Sequence, residues 1–179
     1  MSAVAQSAAA WLSRLIQIPS VNPLHVGPRS GDVSEGNLAR SAAEYADSLG
    51  AAWVELDEST GADRPNVYAA FLGQSDKWLA LDVHLDTVGV EHMVGDPFSG
   101  AIADGRVWGR GAVDTKASMG TMFAVIEALR KRGERPAHNL VLVGTVAEEA
   151  GGMIGASALK TWLNGRDFRV REMMIAEPT

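Results

Sequence analysis

Leu79–Val88 reads Leu-Ala-Leu-Asp-Val-His-Leu-Asp-Thr-Val. Leu79, Leu81 and Val83 alternate with Ala80, Asp82 and His84, the period of a strand with one purely apolar face. His84 and Asp86 then fall on the same side where the run ends. A histidine with a carboxylate two residues on suits a metal. One ring nitrogen binds the ion, and the carboxylate takes the proton on the other and fixes the tautomer. Alone, such a pair is more commonly a satisfied local hydrogen bond, so its meaning depends on what the rest of the chain brings to the end of this strand.

The chain has 179 residues, enough for one domain with a real core. It has no cysteine, which removes disulfides and thiolate sites and leaves His, Asp and Glu as ligands. The formal net charge is −6 and the basic residues are scattered, which argues against a nucleic-acid partner. No apolar stretch has the length of a membrane span. Met1–Ala10 is rich in alanine, but no Lys or Arg precedes its apolar part, and Gln6, Ser7 and Arg14 interrupt the pattern. Val4, Ala8, Trp11, Leu12, Leu15 and Ile16 instead have helical spacing. A cytoplasmic location is the expectation.

Helices are expected over Ala3–Ile18, Glu35–Leu49 (with Ser34 as N-cap), Thr115–Arg132 and Gly155–Leu163. Strands are expected over Ala51–Leu56, Asn66–Leu72, Trp78–His84, Asn139–Val146 and Val170–Ala176. Thr87–Gly111 is long, glycine-rich and irregular, with Asp104-Gly105 as a hairpin signal. The alternation of strands and helices predicts an α/β layered fold with a largely parallel sheet.

In such sheets, ligands gather beyond the C-terminal ends of the strands. Leu79–Val83 leads into His84-Leu85-Asp86, Leu140–Ala147 ends at Glu148-Glu149, and Met173–Ala176 ends at Glu177. Asp114 stands where the long helix starts. Each has a plainer role: Asp114 as an N-cap, Glu148-Glu149 as a solvated turn, Glu177 as a surface carboxylate. Together they would crowd carboxylates at one sheet edge with nothing to offset their repulsion. A metal resolves this, and one imidazole with three carboxylates suits zinc, cobalt or manganese. One of two adjacent glutamates can bind metal while the other serves as general base to a water. A bridging Asp114 would suit two ions about 3.5–4 Å apart.

His84-Leu85-Asp86-Thr87-Val88, Asp96-Pro97-Phe98, Gly109–Lys116, Glu148-Glu149 with Gly151-Gly152 and Gly155-Ala156, and Glu177-Pro178-Thr179 follow one another along the chain. In that order they resemble the acetylornithine deacetylase, succinyl-diaminopimelate desuccinylase, aminoacylase and carboxypeptidase G family of dinuclear metallohydrolases. The resemblance implies that residues 1–179 are the N-terminal part of a three-layer catalytic domain. The rest of that domain, and a lid or dimerisation domain that would make a homodimer, lie outside it.

The resemblance also implies roles. His84 and Glu177 would bind one metal ion, Asp114 would bridge two, and Glu149 would bind the second. Asp86 would orient His84, and Glu148 would be the general base toward a metal-bridging water. The Asp114-Thr115 peptide is a candidate cis bond. The implied substrate is an N-acyl amino acid or a dipeptide.

Three features depart from the family pattern. Ala117 replaces a common glycine, and Val83 replaces a common small residue before His84. The usual histidine ligand of the second metal is absent, and His92 and His138 do not match its motif; both read as surface or loop residues. His25 is a weak ligand candidate in a Pro/Gly-rich loop. Asp82 is expected to be an ordinary buried, hydrogen-bonded aspartate. If the natural product ended at Thr179, the alternative would be an inactive metal-binding or interaction module.

Overall fold

The computed structural model describes residues 2–30, 35–150 and 152–178. In chain order it contains α1 (Ala3–Ile16), α2 (Glu35–Ser48), β1 (Trp53–Asp57), β2 (Asn66–Phe71), β3 (Trp78–His84), β4 (Ile102–Ala103), β5 (Arg106–Val107), α3 (Lys116–Lys131), β6 (Asn139–Thr145), α4 (Ile154–Asn164) and β7 (Val170–Ile175). The expected elements are all present, with ends shifted by up to two residues. The proposed Ser34 cap, Gly151 and Thr179 lie outside the described residues.

Five strands form one sheet in the order β1-β2-β6-β3-β7. β3 pairs in parallel with β6 and β7, while β2 is antiparallel to both β1 and β6. Four strands therefore point one way and β2 alone runs against them. Both faces are covered. Val67, Ala69, Phe71, Val83, Leu85 and Leu142 pack under α1, α2 and α3, whereas Tyr68, Ala80, Val141 and Val143 pack under α4. This two-sided burial explains why β2 and β6 read as continuous apolar runs. It also qualifies the apolar-face pattern of β3, because Ala80, Asp82 and His84 are as buried as Val83.

The route through the sheet sets up the site. From β3 the chain crosses by α3 to β6 on one side, then returns by α4 to β7 on the other. β3 is where the winding changes direction, and that is where a crevice opens beyond the C-terminal strand ends. Thr87–Gly111 is irregular apart from the β4–β5 hairpin. Asp104 and Gly105 both have positive φ there (52° and 73°), as a tight two-residue hairpin turn requires. β7 is the open edge of the sheet, and Met174 and Ile175 on it are 62% and 64% exposed. Among the described residues, no helix is long and apolar enough to cross a membrane.

Candidate metal centre

His84 ends β3 and is 4% exposed. Both ring nitrogens face acceptors. Nδ1 donates to the Asp86 carbonyl at 2.9 Å and has Asp86 Oδ1 at 3.5 Å. Nε2 faces Asp114 Oδ1 at 2.9 Å and Glu177 Oε1 at 3.8 Å. Burial opposes a charge on the ring, but the Asp86 and Asp114 carboxylates outweigh it and raise its pKa to about 9. The sequence reading expected the Asp86 carboxylate to take the Nδ1 proton; here the Asp86 backbone carbonyl is the nearer acceptor, and Nε2 points at carboxylates.

Asp86 is fully buried, and its carboxylate accepts several hydrogen bonds. Its Oδ1 accepts the Glu148 N–H at 3.0 Å, and its Oδ2 accepts the Glu149 N–H at 2.9 Å and Asn22 Nδ2 at 2.7 Å. Burial disfavours its ionised form, but His84, Asn22 and the Glu148 N–H outweigh that and hold the carboxyl below its ordinary range.

Asp114 is not the N-cap of α3. Thr115 holds that position without a side-chain cap bond, and the Asp114-Thr115 peptide is cis. Thr115 Oγ1 donates to the Ala176 carbonyl at 3.0 Å, which ties this turn to the end of β7 beside Glu177. The buried Lys116 Nζ donates to the carbonyls of Leu15 (3.1 Å) and Ile18 (2.7 Å), at and just beyond the C-terminal end of α1. Burial pushes that amine down to about 7.

Two donor groups result. His84, Glu148 and Glu177 offer ligand atoms all within 4.8 Å of one another, and so do His84, Asp114 and Glu149. Among the described residues, none of these four carboxylates is ion-paired with a lysine or arginine. Burial and neighbouring carboxylates raise the pKa of Glu149 and of Glu177. An oxygen-rich cluster with one imidazole, and no other cation to offset it, fits a divalent metal ion.

Of the remaining sequence candidates, Asp82 lines the crevice beside His84, Glu148 and Glu177, and the histidines fall elsewhere. His25 and His92 are exposed. His138 shares a hydrogen bond with Ser75 Oγ at 2.8 Å, far along the strands from the site. Asp82 accepts from Thr145 Oγ1 at 3.1 Å, and burial raises its pKa to about 6. Asp96-Pro97-Phe98 builds the loop: Asp96 Oδ1 accepts the Phe98 N–H at 2.9 Å, and the Pro97 carbonyl accepts the Arg110 N–H at 2.7 Å. Gly155 is explained by contact, since a Cβ there would lie 2.3 Å from the Val146 carbonyl oxygen.

Three supporting residues were not foreseen. Asn22 bonds both Asp86 and the Ala150 carbonyl. Asn66 accepts the Val146 N–H, and Glu35 accepts the Ala147 N–H. Their only signal in sequence was a polar residue at an element start or turn, which many solvated residues share.

Residues 80–179 match the profile of peptidase family M20/M25/M40. A succinyl-diaminopimelate desuccinylase of Methylobacterium radiotolerans is 36% identical over 120 residues, covering 65% of this chain and 30% of that protein. The enzyme of that name from Methylobacterium nodulans is 32% identical over 174 residues, covering 92% of this chain and 40% of that one. Among solved structures, human carnosine dipeptidase 1 superposes with a TM-score of 0.77 at 21% identity, over 96% of this chain and 38% of that one. That likeness is one of fold. The chain thus spans well under half the length of these relatives.

Proposed function

The chain belongs to peptidase family M20/M25/M40, and on that premise we propose that it forms the metal-holding part of a hydrolase that cleaves amide bonds. The observation that carries this reading is the convergence of His84, Asp114, Glu148, Glu149 and Glu177 on one crevice from four separate segments. We assign His84 and Glu177 to one ion, Asp114 to both and Glu149 to a second, with zinc as the metal and cobalt or manganese as substitutes. When bound, such ions supply Lewis acidity and lower the pKa of a water.

The protein's own groups do the rest. Asp86 holds Nδ1 of His84 and, through the Glu148 and Glu149 amides, the aim of both glutamates. Glu148 is the general base. Its carboxylate takes a proton from the attacking water as the water oxygen bonds to the amide carbon. It returns that proton to the nitrogen as the C–N bond breaks.

The substrate is proposed to be an N-acyl amino acid, with a dipeptide as the second choice. Similarity to proteins named desuccinylases supports this order. We further propose that the catalytic domain continues beyond these residues over the open β7 edge, where Met174 and Ile175 stand exposed. In this reading residues 1–179 are inactive alone, the intact protein dimerises through a lid domain, and it resides in the cytoplasm.

The test is an amidase assay of the full-length protein with zinc or cobalt, across N-succinyl and N-acetyl amino acids and dipeptides. Metal-dependent release of the amino acid is expected. A folded full-length protein that binds neither metal and cleaves none of these compounds would sink the reading.

A further inference from the structure

Beyond Thr145 the backbone presents four N–H groups in succession, and side chains take all of them. Val146 donates to Asn66 Oδ1 at 3.1 Å and Ala147 to Glu35 Oε1 at 2.9 Å. Glu148 and Glu149 donate to the two oxygens of Asp86 at 3.0 and 2.9 Å. Asn22 Nδ2 then holds the Ala150 carbonyl at 2.8 Å. In the middle sits Ala147, fully buried, at φ 61°. A residue with a Cβ seldom adopts this left-handed conformation, and it persists only where the surroundings over-determine it. The turn has a consequence for the site. Glu148 joins His84 and Glu177, whereas its neighbour Glu149 joins His84 and Asp114.

Asp86 lies within the motif that carries the site, but Glu35 does not. It sits in the first turn of α2, where the helix dipole favours a carboxylate, and it is 1% exposed. Its second oxygen pairs with Arg64 Nε. A fully buried carboxylate paired with a partly buried guanidinium is a poor way to gain stability, because a well-packed apolar pair does as well or better. A carboxylate is needed here for another reason: it accepts from the Ala147 N–H and from the Arg64 guanidinium at once.

We propose that Glu35, backed by Arg64, is a positioning residue for Glu148 and Glu149. Its carboxylate fixes the Ala147 N–H, and thereby the left-handed turn that sends the two glutamates to the two donor groups. This role rests on the hydrolase reading above for its catalytic meaning, but its geometry can be tested without it.

Glu35→Gln is the informative variant. The side chain keeps its shape but has one acceptor oxygen, so its NH2 must face either the Ala147 N–H or the guanidinium. In the full-length protein, kcat is expected to fall about 10–100-fold with KM little changed. The visible absorption of the cobalt-loaded protein should change, and cobalt affinity should drop on the order of 10-fold. The backbone NMR signals of Ala147, Glu148 and Glu149 should shift and lose protection from hydrogen exchange. The double variant Glu35→Gln/Arg64→Met frees the amide oxygen for Ala147 and should restore most of each signal.

A folded Glu35→Gln protein with wild-type cobalt spectrum and wild-type amides at these three residues overturns the proposal. Should the single variant not fold, the double variant decides it by whether those amides return to wild type. Should the wild-type protein bind no cobalt and cleave nothing, the hydrolase reading fails, and the three amides still decide whether Glu35 sets the turn.

Discussion

Asn66 and Tyr68 lie two residues apart on one face of β2, joined by a hydrogen bond from Asn66 Nδ2 to the Tyr68 hydroxyl (2.9 Å), yet they belong to two differently built regions. Asn66 faces the rim, where its side chain accepts the Val146 N–H and donates to the Gly155 carbonyl. Tyr68 stacks on Trp162 with ring centroids 4.0 Å apart, in an aromatic layer that also holds Trp53, Trp78 and Phe168. The rim is assembled from directional bonds to buried polar groups, each of which fixes an aim. The aromatic layer is assembled from contact area, which fixes little but contributes stability. Damage to the rim should therefore change what the protein binds and turns over, and damage to the layer should change whether it stays folded.

The largest expected effect tests the layer. Trp162→Ala removes a 7%-exposed indole and its bond to Glu55. It should cost about 3–5 kcal/mol in denaturant unfolding, with metal affinity unchanged among molecules that remain folded. Loss of metal affinity before loss of structure would break the division. At the rim, Glu148→Gln should lower turnover about 10²–10⁴-fold while metal content and unfolding midpoint stay at wild-type values. An unchanged rate would remove Glu148 as the base.

Metal addition tests the rim from the other side. Zinc or cobalt at 100 times its dissociation constant should raise unfolding free energy by about 2.7 kcal/mol. Glu149→Ala should lose much of that gain in calorimetry. Asp86→Asn keeps the shape but loses acceptor capacity for the Glu148 and Glu149 amides. Metal affinity by competitive titration should fall about 10–100-fold. The smallest effect concerns the open edge. A surface change such as Met174→Lys is worth within about 0.5 kcal/mol where the strand stays exposed. A clearly larger loss in the full-length protein would show that further chain covers β7.

Much of this was legible in the residues. The alternation over Trp78–His84 gave β3 its exact limits, because a strand's period is short and its end was marked by polar side chains. The Asp104-Gly105 turn, the long α3 and the closure of apolar runs by His84, Glu148 and Glu177 were readable for the same reason: they are local patterns. Asp114 was ambiguous between cap and ligand. The structure removed the cap reading, with Thr115 at the cap position and Asp114 opposite His84 Nε2.

The sequence by itself determined which stretches become strands and helices, that three apolar runs end in ligand-type residues while a fourth such residue stands at a helix start, and which family they resemble. Tertiary structure alone decided how those ends are aimed. Asn22, Glu35 and Asn66 act on residues 64 to 128 positions away, and nothing in the spacing of a chain records a contact at that separation. Hydrogen bonds depend on distances of a few tenths of an ångström and on direction. Such precision arises only once the sheet has brought β2, β3 and β6 side by side.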